Sequence, residues 1–472
     1  MSSFTRTGGG FRIALAMVAF IGVFVVTDPV TATGLAPHEA IARNILRELV
    51  ETDTTDSTGD NTLAAETMAR RLLEAGFPAE DVEILAPAPH KGNLIARLRG
   101  QKPELKPLLL LAHLDVVEAD KRSWSRDPFT FSEEEGYFYG RGVSDDKDEA
   151  AIHIANLIRL KMGGYEPRRD IVVVLTADEE GGDFNGVQWL LATHPEKLKA
   201  EYVLSEGGGG VLLGGNRLAN EIQATEKQYQ TFLIETTSPG GHSSMPTQDN
   251  AIYMISVVAE RLRNYQFPVR LNPVTRAFFE RSSELSAGPL RSAMEGVLRE
   301  PPDQESADFL AQTPFYNAAL RTTCAPTIIE GGHAENALPQ RVTLTVNCRL
   351  LPTDTRDHVQ ETLQSLVGDS ASISRVPANA TLPGFSMRAD VFDAIEKVSN
   401  SVWPNVPVVP IMGPGGTDGK YLRNVGIPVL GVNGVFIDVE DDRAHAADER
   451  IRVVSFFEGL EFMYRLTREL SK

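Results

Sequence analysis

The chain has 472 residues, 42% of them apolar and 23% charged, with a formal net charge of -18. That length calls for two or three domains, and the balance is that of a globular protein, which sets disordered and fibrous classes aside. The charge excludes a nucleic-acid or anionic-membrane surface, since phosphate binding needs clustered Lys and Arg and no basic stripe occurs; it describes a solvated exterior and also suits carboxylates gathered around cations.

At the N-terminus Arg6 and Arg12 precede an apolar run from Ile13 to Val26 and then small residues up to Ala32, a secretory signal pattern over residues 1–32. The run is shorter than the roughly 20 residues that span a bilayer, so a cleaved signal and a secreted or periplasmic product are expected rather than an anchor. Helices are predicted over Pro37 to Val50 and Asn61 to Gly76. The runs Asn93 to Leu98, Pro107 to Ala112, Ile171 to Ala177 and Tyr202 to Ser205 are continuously apolar, as in strands buried on both faces. Helical segments at Glu149 to Met162 and Phe184 to Thr193 separate the last three, which predicts an α/β domain with a largely parallel sheet over residues 35–222. Gly207 to Gly210 reads as a turn, because Leu212 and Leu213 stand where a dinucleotide fingerprint would need its last glycine.

A second domain is expected over residues 223–378. Its strand at Tyr229 to Thr236, helix at Asn250 to Asn264, strands at Thr323 to Glu330 and Arg341 to Leu350, helix at Arg356 to Val367 and strand at Ala371 to Val376 give a β-α-β-β-α-β, ferredoxin-like α+β order. Residues 268–320 read as an insertion into it. From residue 379 to 472 the α/β style returns, with strands at Pro407 to Ile411 and Pro428 to Val432 and a long final helix from Asp448. The only cysteines are Cys324 and Cys348; their numbers centre an antiparallel pairing near Asn336, which would set them face to face on neighbouring strands and allow a disulfide after export.

Three buried strands end in the same way. The Leu108 to Leu111 run leads to His113 and Asp115, Ile171 to Thr176 leads to Asp178, Glu179 and Glu180, and Tyr202 to Leu204 leads to Glu206. Ligands bind outside the carboxyl ends of such strands, so these groups should meet, joined by Asp145 and Asp146 of the Arg141 to Lys147 loop. Helix capping would explain Asp178 or Asp146 singly but not three strand ends together. Crowded carboxylates stay ionised only beside a cation, and a His and carboxylate set without thiolate suits zinc, with manganese or cobalt as substitutes.

These residues carry a resemblance. Ala112-His113-Leu114-Asp115, Gly140-Arg141-Gly142 leading to Asp145-Asp146-Lys147, Asp178-Glu179-Glu180-Gly181, Ser205-Glu206 and Ala444-His445-Ala446, in this order, resemble the M20 family of co-catalytic zinc metallopeptidases. Asp148 departs from the small residue usual after the lysine. The resemblance implies a phosphorylase/hydrolase-like catalytic domain interrupted by a lid domain that also serves dimerisation. It implies two zinc ions, with Asp145 bridging, His113 and Glu206 on one ion, Glu180 and His445 on the other, Glu179 as general base and Asp115 fixing the His113 tautomer through its carboxylate. Asp146 and Lys147 are expected to be scaffold. In the lid, Ser238-Pro239-Gly240-Gly241-His242 resembles the loop whose histidine, His242, stabilises the oxyanion, and Asn336 and Arg349 resemble substrate-binding positions; back in the first domain the Gly-rich loop Gly415-Gly416-Thr417-Asp418 would supply backbone donors to the same substrate carboxylate. A strand-end salt bridge is the alternative for Arg349.

The expected activity is hydrolysis of a peptide or N-acyl amide bond beside a free C-terminal carboxylate, as a carboxypeptidase or dipeptidase, or alternatively as an N-acyl amino acid deacylase. A non-catalytic, metal-dependent peptide-binding protein is a rival that the retained Glu179 opposes. A serine or cysteine hydrolase is excluded by the lack of a G-x-S-x-G elbow and of a nucleophile context at either cysteine.

Overall fold

The computed structural model describes residues 34–377, 384–385 and 387–472, so the signal pattern over residues 1–32 lies outside the described residues. The chain forms two compact units: the first takes the described residues up to Ala224, those from Ser386 to Ile411, and Thr417–Lys472; the second takes the described residues of Thr225–Phe385 together with Met412–Gly416.

The first unit is built on a 10-stranded sheet. At its centre Ile171–Thr176, Leu108–His113, Tyr202–Ser205 and Val429–Gly431 run parallel to one another, in that order. Every residue of the Leu108–His113 and Ile171–Thr176 strands is buried, as continuous apolar runs require. Leu109, Leu111, Val172, Val174 and Val203 pack with Val187 and Leu190 of the helix Gly186–Thr193; full burial of such a side chain contributes roughly 1.5–3 kcal/mol. Outside this centre the sheet is mixed, not largely parallel. Asn93–Leu98 lies antiparallel to Ile171–Thr176, and Asn216–Glu226 lies antiparallel to Gly209–Leu213. The second of these pairs is a hairpin, because the short turn between Leu213 and Asn216 can join only antiparallel neighbours.

Two local expectations change. The Gly207 to Gly210 run turns at Gly207, where φ is +100°, and then enters the strand Gly209–Leu213. A Cβ on Gly208 would lie 2.1 Å from the Gly431 carbonyl oxygen, and one on Gly210 would lie 2.1 Å from the Phe436 ring, so close strand packing demands these glycines. The final helix starts at Val453, not Asp448, since Arg450–Arg452 is a strand paired with Tyr137–Tyr139.

In the second unit Thr323–Gly331, Arg341–Leu350, Gln228–Thr237 and Ser372–Arg375 form an antiparallel four-stranded sheet in that order. The helices Ala251–Asn264 and Arg356–Val367 pack on it through Ile255, Val258, Val359 and Leu363 against Phe232, Ile234, Leu344 and Val346. Residues 268–320 are helical, with Pro273–Leu285, Gly288–Val297, Gln304–Leu310 and Pro314–Leu320 gathered around Phe278, Phe279, Phe315 and Tyr316. Cys324 and Cys348 stand directly opposite each other on neighbouring strands and form a disulfide with a Cα separation of 4.0 Å.

Candidate active site

His113 is the last residue of its strand and lies in register with Thr176 of the neighbouring strand, so the loop that leaves Thr176 starts beside it. Glu206 follows the next parallel strand. All three ends therefore open on one side. Ligand atoms of His113, Asp145 and Glu180 lie within 4.8 Å of one another, and so do those of His113, Glu179 and Glu206. Asp145 turns one oxygen to each histidine: Oδ1 is 3.2 Å from His113 Nε2 and Oδ2 is 3.1 Å from His445 Nε2. His445 Nε2 also lies 2.6 Å from Glu180 Oε1. Glu179, expected as the general base, also stands in ligand range beside His113 and Glu206.

Neighbouring groups fix these side chains. His113 Nδ1 lies 2.9 Å from the Asp115 carbonyl oxygen, which places the ring proton on Nδ1 and leaves Nε2 free to accept or ligate. The Asp115 carboxylate stands 3.7 Å from Nδ1, beyond hydrogen-bonding reach, so the tautomer is set by the main chain rather than by that carboxylate. Its Oδ2 instead accepts the Glu180 N–H at 2.9 Å. Asp146 Oδ2 accepts the His113 N–H at 3.1 Å, and Lys147 Nζ donates to the Thr52 carbonyl at 2.9 Å, both scaffold contacts.

Asp178, at φ +59°, bonds Lys91 at 2.7 Å and accepts the Phe184 N–H at 3.1 Å. Behind the same loop lies Asp418, buried, expected from the sequence only as the end of a loop of backbone donors. It accepts Asn185 Nδ2 at 2.6 Å on one oxygen and Thr176 Oγ1 at 3.2 Å on the other, clasping both ends of the segment that carries Glu179 and Glu180. Its only sequence signal was its place after the Gly415-Gly416-Thr417 loop.

Burial pushes the Glu179 carboxyl well above its usual range, and the charge of Asp418 adds to that. Burial does the same to Glu206, with Glu179 as the next cause, and raises Asp115 to about 6. Hydrogen bonds to Asp145 and Glu180 raise His445 to about 10. For His113 burial opposes the charged ring, but Asp145, Asp115 and Glu206 outweigh it and the ring is raised well above its usual value. Burial works against ionised Asp145, yet both histidines overcome it and hold the carboxyl far below normal. Glu206 Oε1 is buried and has no hydrogen-bond partner among the described residues. An orphaned carboxylate oxygen beside other carboxylates and two imidazoles is a donor set that fits divalent cations.

The remaining candidates lie in or beside the second unit. The two-residue strand Gly241–His242 pairs with Ala337–Leu338, and the Ser243 N–H donates to the Asn336 carbonyl at 3.0 Å, so His242 and Asn336 share one corner of that unit. Gly240 has φ +74°, and a Cβ there would lie 2.7 Å from Gln340 Cγ. The Ser244 N–H donates to His242 Nδ1 at 3.2 Å, leaving the ring proton on Nε2, which is exposed. Arg349 stands opposite Tyr229 across the strand pair with its guanidinium 4.9 Å from the ring centre, and makes no strand-end salt bridge among the described residues. Gly415 and Gly416 belong to the second unit and Thr417 to the first, where its Oγ1 accepts the Gly419 N–H at 3.2 Å.

Residues 109–469 match peptidase family M20/M25/M40. The N-fatty-acyl-amino acid synthase/hydrolase PM20D1 of Xenopus tropicalis is 31% identical over 363 residues, covering 75% of this chain and 70% of that one. The probable carboxypeptidase S-like 2 of Dictyostelium discoideum is 27% identical over 396 residues, covering 80% and 75%. Among solved structures, the M20 family metallo-carboxypeptidase Sso-CP2 from Sulfolobus solfataricus shares the fold, with a TM-score of 0.66 at 18% identity over 90% of this chain and 98% of that one.

Proposed function

The chain belongs to peptidase family M20/M25/M40 and is a hydrolase, and from that premise we propose that it holds two zinc ions and cuts an amide bond beside a free carboxylate. The observation that carries this reading is Asp145, whose two oxygens face His113 and His445 while Glu180 and Glu206 stand by. Bound divalent cations supply Lewis-acid polarisation of the scissile carbonyl and of the attacking water. The protein does the rest. Glu179, held in reach by the Asp115 and Asp418 contacts around its loop, takes the proton of the attacking water and returns it to the leaving nitrogen. His113, Asp145, Glu206, Glu180 and His445 serve as ligands. His242, with its proton on Nε2, is the oxyanion donor of the proposal, and Asn336, Arg349 and the Gly415-Gly416-Thr417 backbone bind substrate.

The substrate class is an acyl group joined to an amino acid with a free carboxylate. N-acyl amino acids and peptide C-termini both satisfy it, and the relatives carry names of both kinds. The 31% identity to an N-fatty-acyl-amino acid synthase/hydrolase puts N-fatty-acyl amino acids first. A substrate panel of N-oleoyl and N-acetyl amino acids, Gly-X dipeptides and the matching C-terminal amides tests this together with elemental analysis. Metal-free protein, or turnover indifferent to chelators, would sink the reading; preference for amides would sink its substrate class.

The residue 1–32 signal pattern supports a secreted or periplasmic enzyme, and no helix among the described residues is long and apolar enough to cross a membrane. A homodimer through the second unit is supported by the sheet-edge strand Thr323–Gly331, where Ile328 and Ile329 are exposed, and by exposed Ile252, Tyr253 and Val257 on the helix Ala251–Asn264. Sedimentation of the mature protein as a monomer at micromolar concentration would remove the dimer.

A further inference from the structure

Glu449 makes no hydrogen bond to a candidate ligand among the described residues, yet its carboxylate is fully buried and takes four hydrogen bonds from the loop that carries Asp145. Arg141 Nη1 donates to Oε2 at 2.6 Å and the Gly142 N–H donates to the same oxygen at 3.0 Å. The Ser144 N–H and Oγ donate to Oε1 at 2.9 and 3.1 Å. The Gly140 N–H adds a bond to the Glu449 carbonyl at 3.2 Å. Glu449 itself stands four residues after His445, so one side chain joins the Asp145 loop to the His445 loop.

The two ligand sets differ in what supports them. His113 closes a buried central strand in register with Thr176, and Glu206 directly follows another strand whose Ser205 pairs with Gly431, so strand pairing fixes the main chain at both. Asp145, Glu180 and His445 all stand on loops. His445 has φ +62° and is half exposed, with its ring held by Asp145 and Glu180. The backbone around it therefore depends on what ties that loop down, and the Glu449 bonds to Arg141, Gly142 and Ser144 do so from a dry interior. Losing the carboxylate would strand a buried guanidinium and two N–H donors, which the loop can relieve only by moving.

We infer that Glu449 is a positioning residue that sets Asp145 and His445 at their spacing, so that the ion between Asp145, Glu180 and His445 depends on it far more than the ion on His113 and Glu206. This rests on the two-metal reading. Asp145 reaches both ions, so the selectivity comes from His445, four residues from Glu449 on the same loop, whereas His113 and Glu206 stand at the ends of strands that Glu449 does not bond.

The test is metal stoichiometry by native mass spectrometry with zinc competition against a chromogenic chelator, on the full mature protein. Wild type holding fewer than two ions would overturn the two-metal reading itself, whatever the variants do. Given two ions in wild type, Glu449→Gln should keep one at near wild-type affinity and bind the other roughly 10- to 100-fold more weakly, the usual scale for losing an outer-shell partner. That pattern should match His445→Ala. A merely structural residue would instead lower the melting temperature and release both ions together, and either that result or two tightly held ions overturns the inference. If Glu449→Gln does not fold, Ser144→Ala decides: it removes one of the four bonds, and unchanged affinity for the weaker ion would count against Glu449 as the pin.

Discussion

The backbone N–H of Glu180 donates to Oδ2 of Asp115 at 2.9 Å. One short segment thus governs both sides of the site, since the Asp115 carbonyl sets the His113 tautomer while its carboxylate holds the Glu179-Glu180 loop. Asp115→Ala keeps the carbonyl and removes only the second function. It is expected to lower metal affinity or kcat/KM by roughly 10- to 100-fold, as for other outer-shell partners of metal ligands. Asp115→Asn retains an acceptor oxygen and should fall between Ala and wild type. Wild-type kinetics and chelator resistance for Asp115→Ala would show that the Glu180 loop holds itself.

Glu179 stands close enough to His113 and Glu206 to act as a ligand, so its role needs a test that separates ligation from proton transfer. Glu179→Gln keeps the shape and an acceptor oxygen but cannot take a proton at neutral pH. The expected result is unchanged metal content with kcat reduced roughly 10²- to 10⁴-fold, the range for a lost general base. Metal loss in parallel with activity would move Glu179 into the ligand set.

Part of this site was legible in the chain and part was not, for a physical reason. His113, Glu180 and Glu206 could be read because each follows a continuously apolar run, and parallel strands bring such ends together. The side-chain roles of Glu449 and Asp418 could not, because their partners Arg141, Thr176 and Asn185 lie hundreds of residues away and leave no local pattern. The Gly209–Leu213 strand was hidden for a similar reason. Gly208 just before it answers to Gly431, and Gly210 within it to Phe436, so in sequence the run looks like a turn. Asp115 could be set near His113 from their spacing, but which of its oxygens faces the ring is a matter of backbone geometry, and it is the carbonyl.

Metal binding should release protons. In the metal-free site His445 is raised to about 10, so it carries a proton at pH 7, and His113 and Glu206 are also raised. A ligand must shed its proton before it binds a cation. Each raised value therefore makes metal affinity climb as pH rises toward that value and fall as pH drops. Calorimetric titration of the metal-free protein with zinc at pH 7, repeated in buffers of different ionisation enthalpy, should show net proton release. His445→Ala should release fewer protons. Heat independent of the buffer would mean that the ligands are already unprotonated.

Arg349 faces Tyr229 across the strand pair, with its guanidinium 4.9 Å from the ring centre and no carboxylate paired with it among the described residues. The ring contact restrains the guanidinium, whose N–H fork can make two parallel bonds to a planar anion. That suits the carboxylate of the proposed substrate. Arg349→Ala should act through KM, raising it roughly 10- to 100-fold for the acid, the equivalent of a lost charged hydrogen bond worth about 1.5–3 kcal/mol. The C-terminal amide of the same compound should lose much less. Arg349→Lys keeps the charge but not the fork, so it should recover only part of the loss. Tyr229→Leu tests the stack by itself: with Arg349 intact but less restrained, KM for the acid should rise modestly while kcat holds. Equal losses for acid and amide in Arg349→Ala would take the carboxylate away from Arg349, and a fall in kcat alone would point to a role in the chemical step instead.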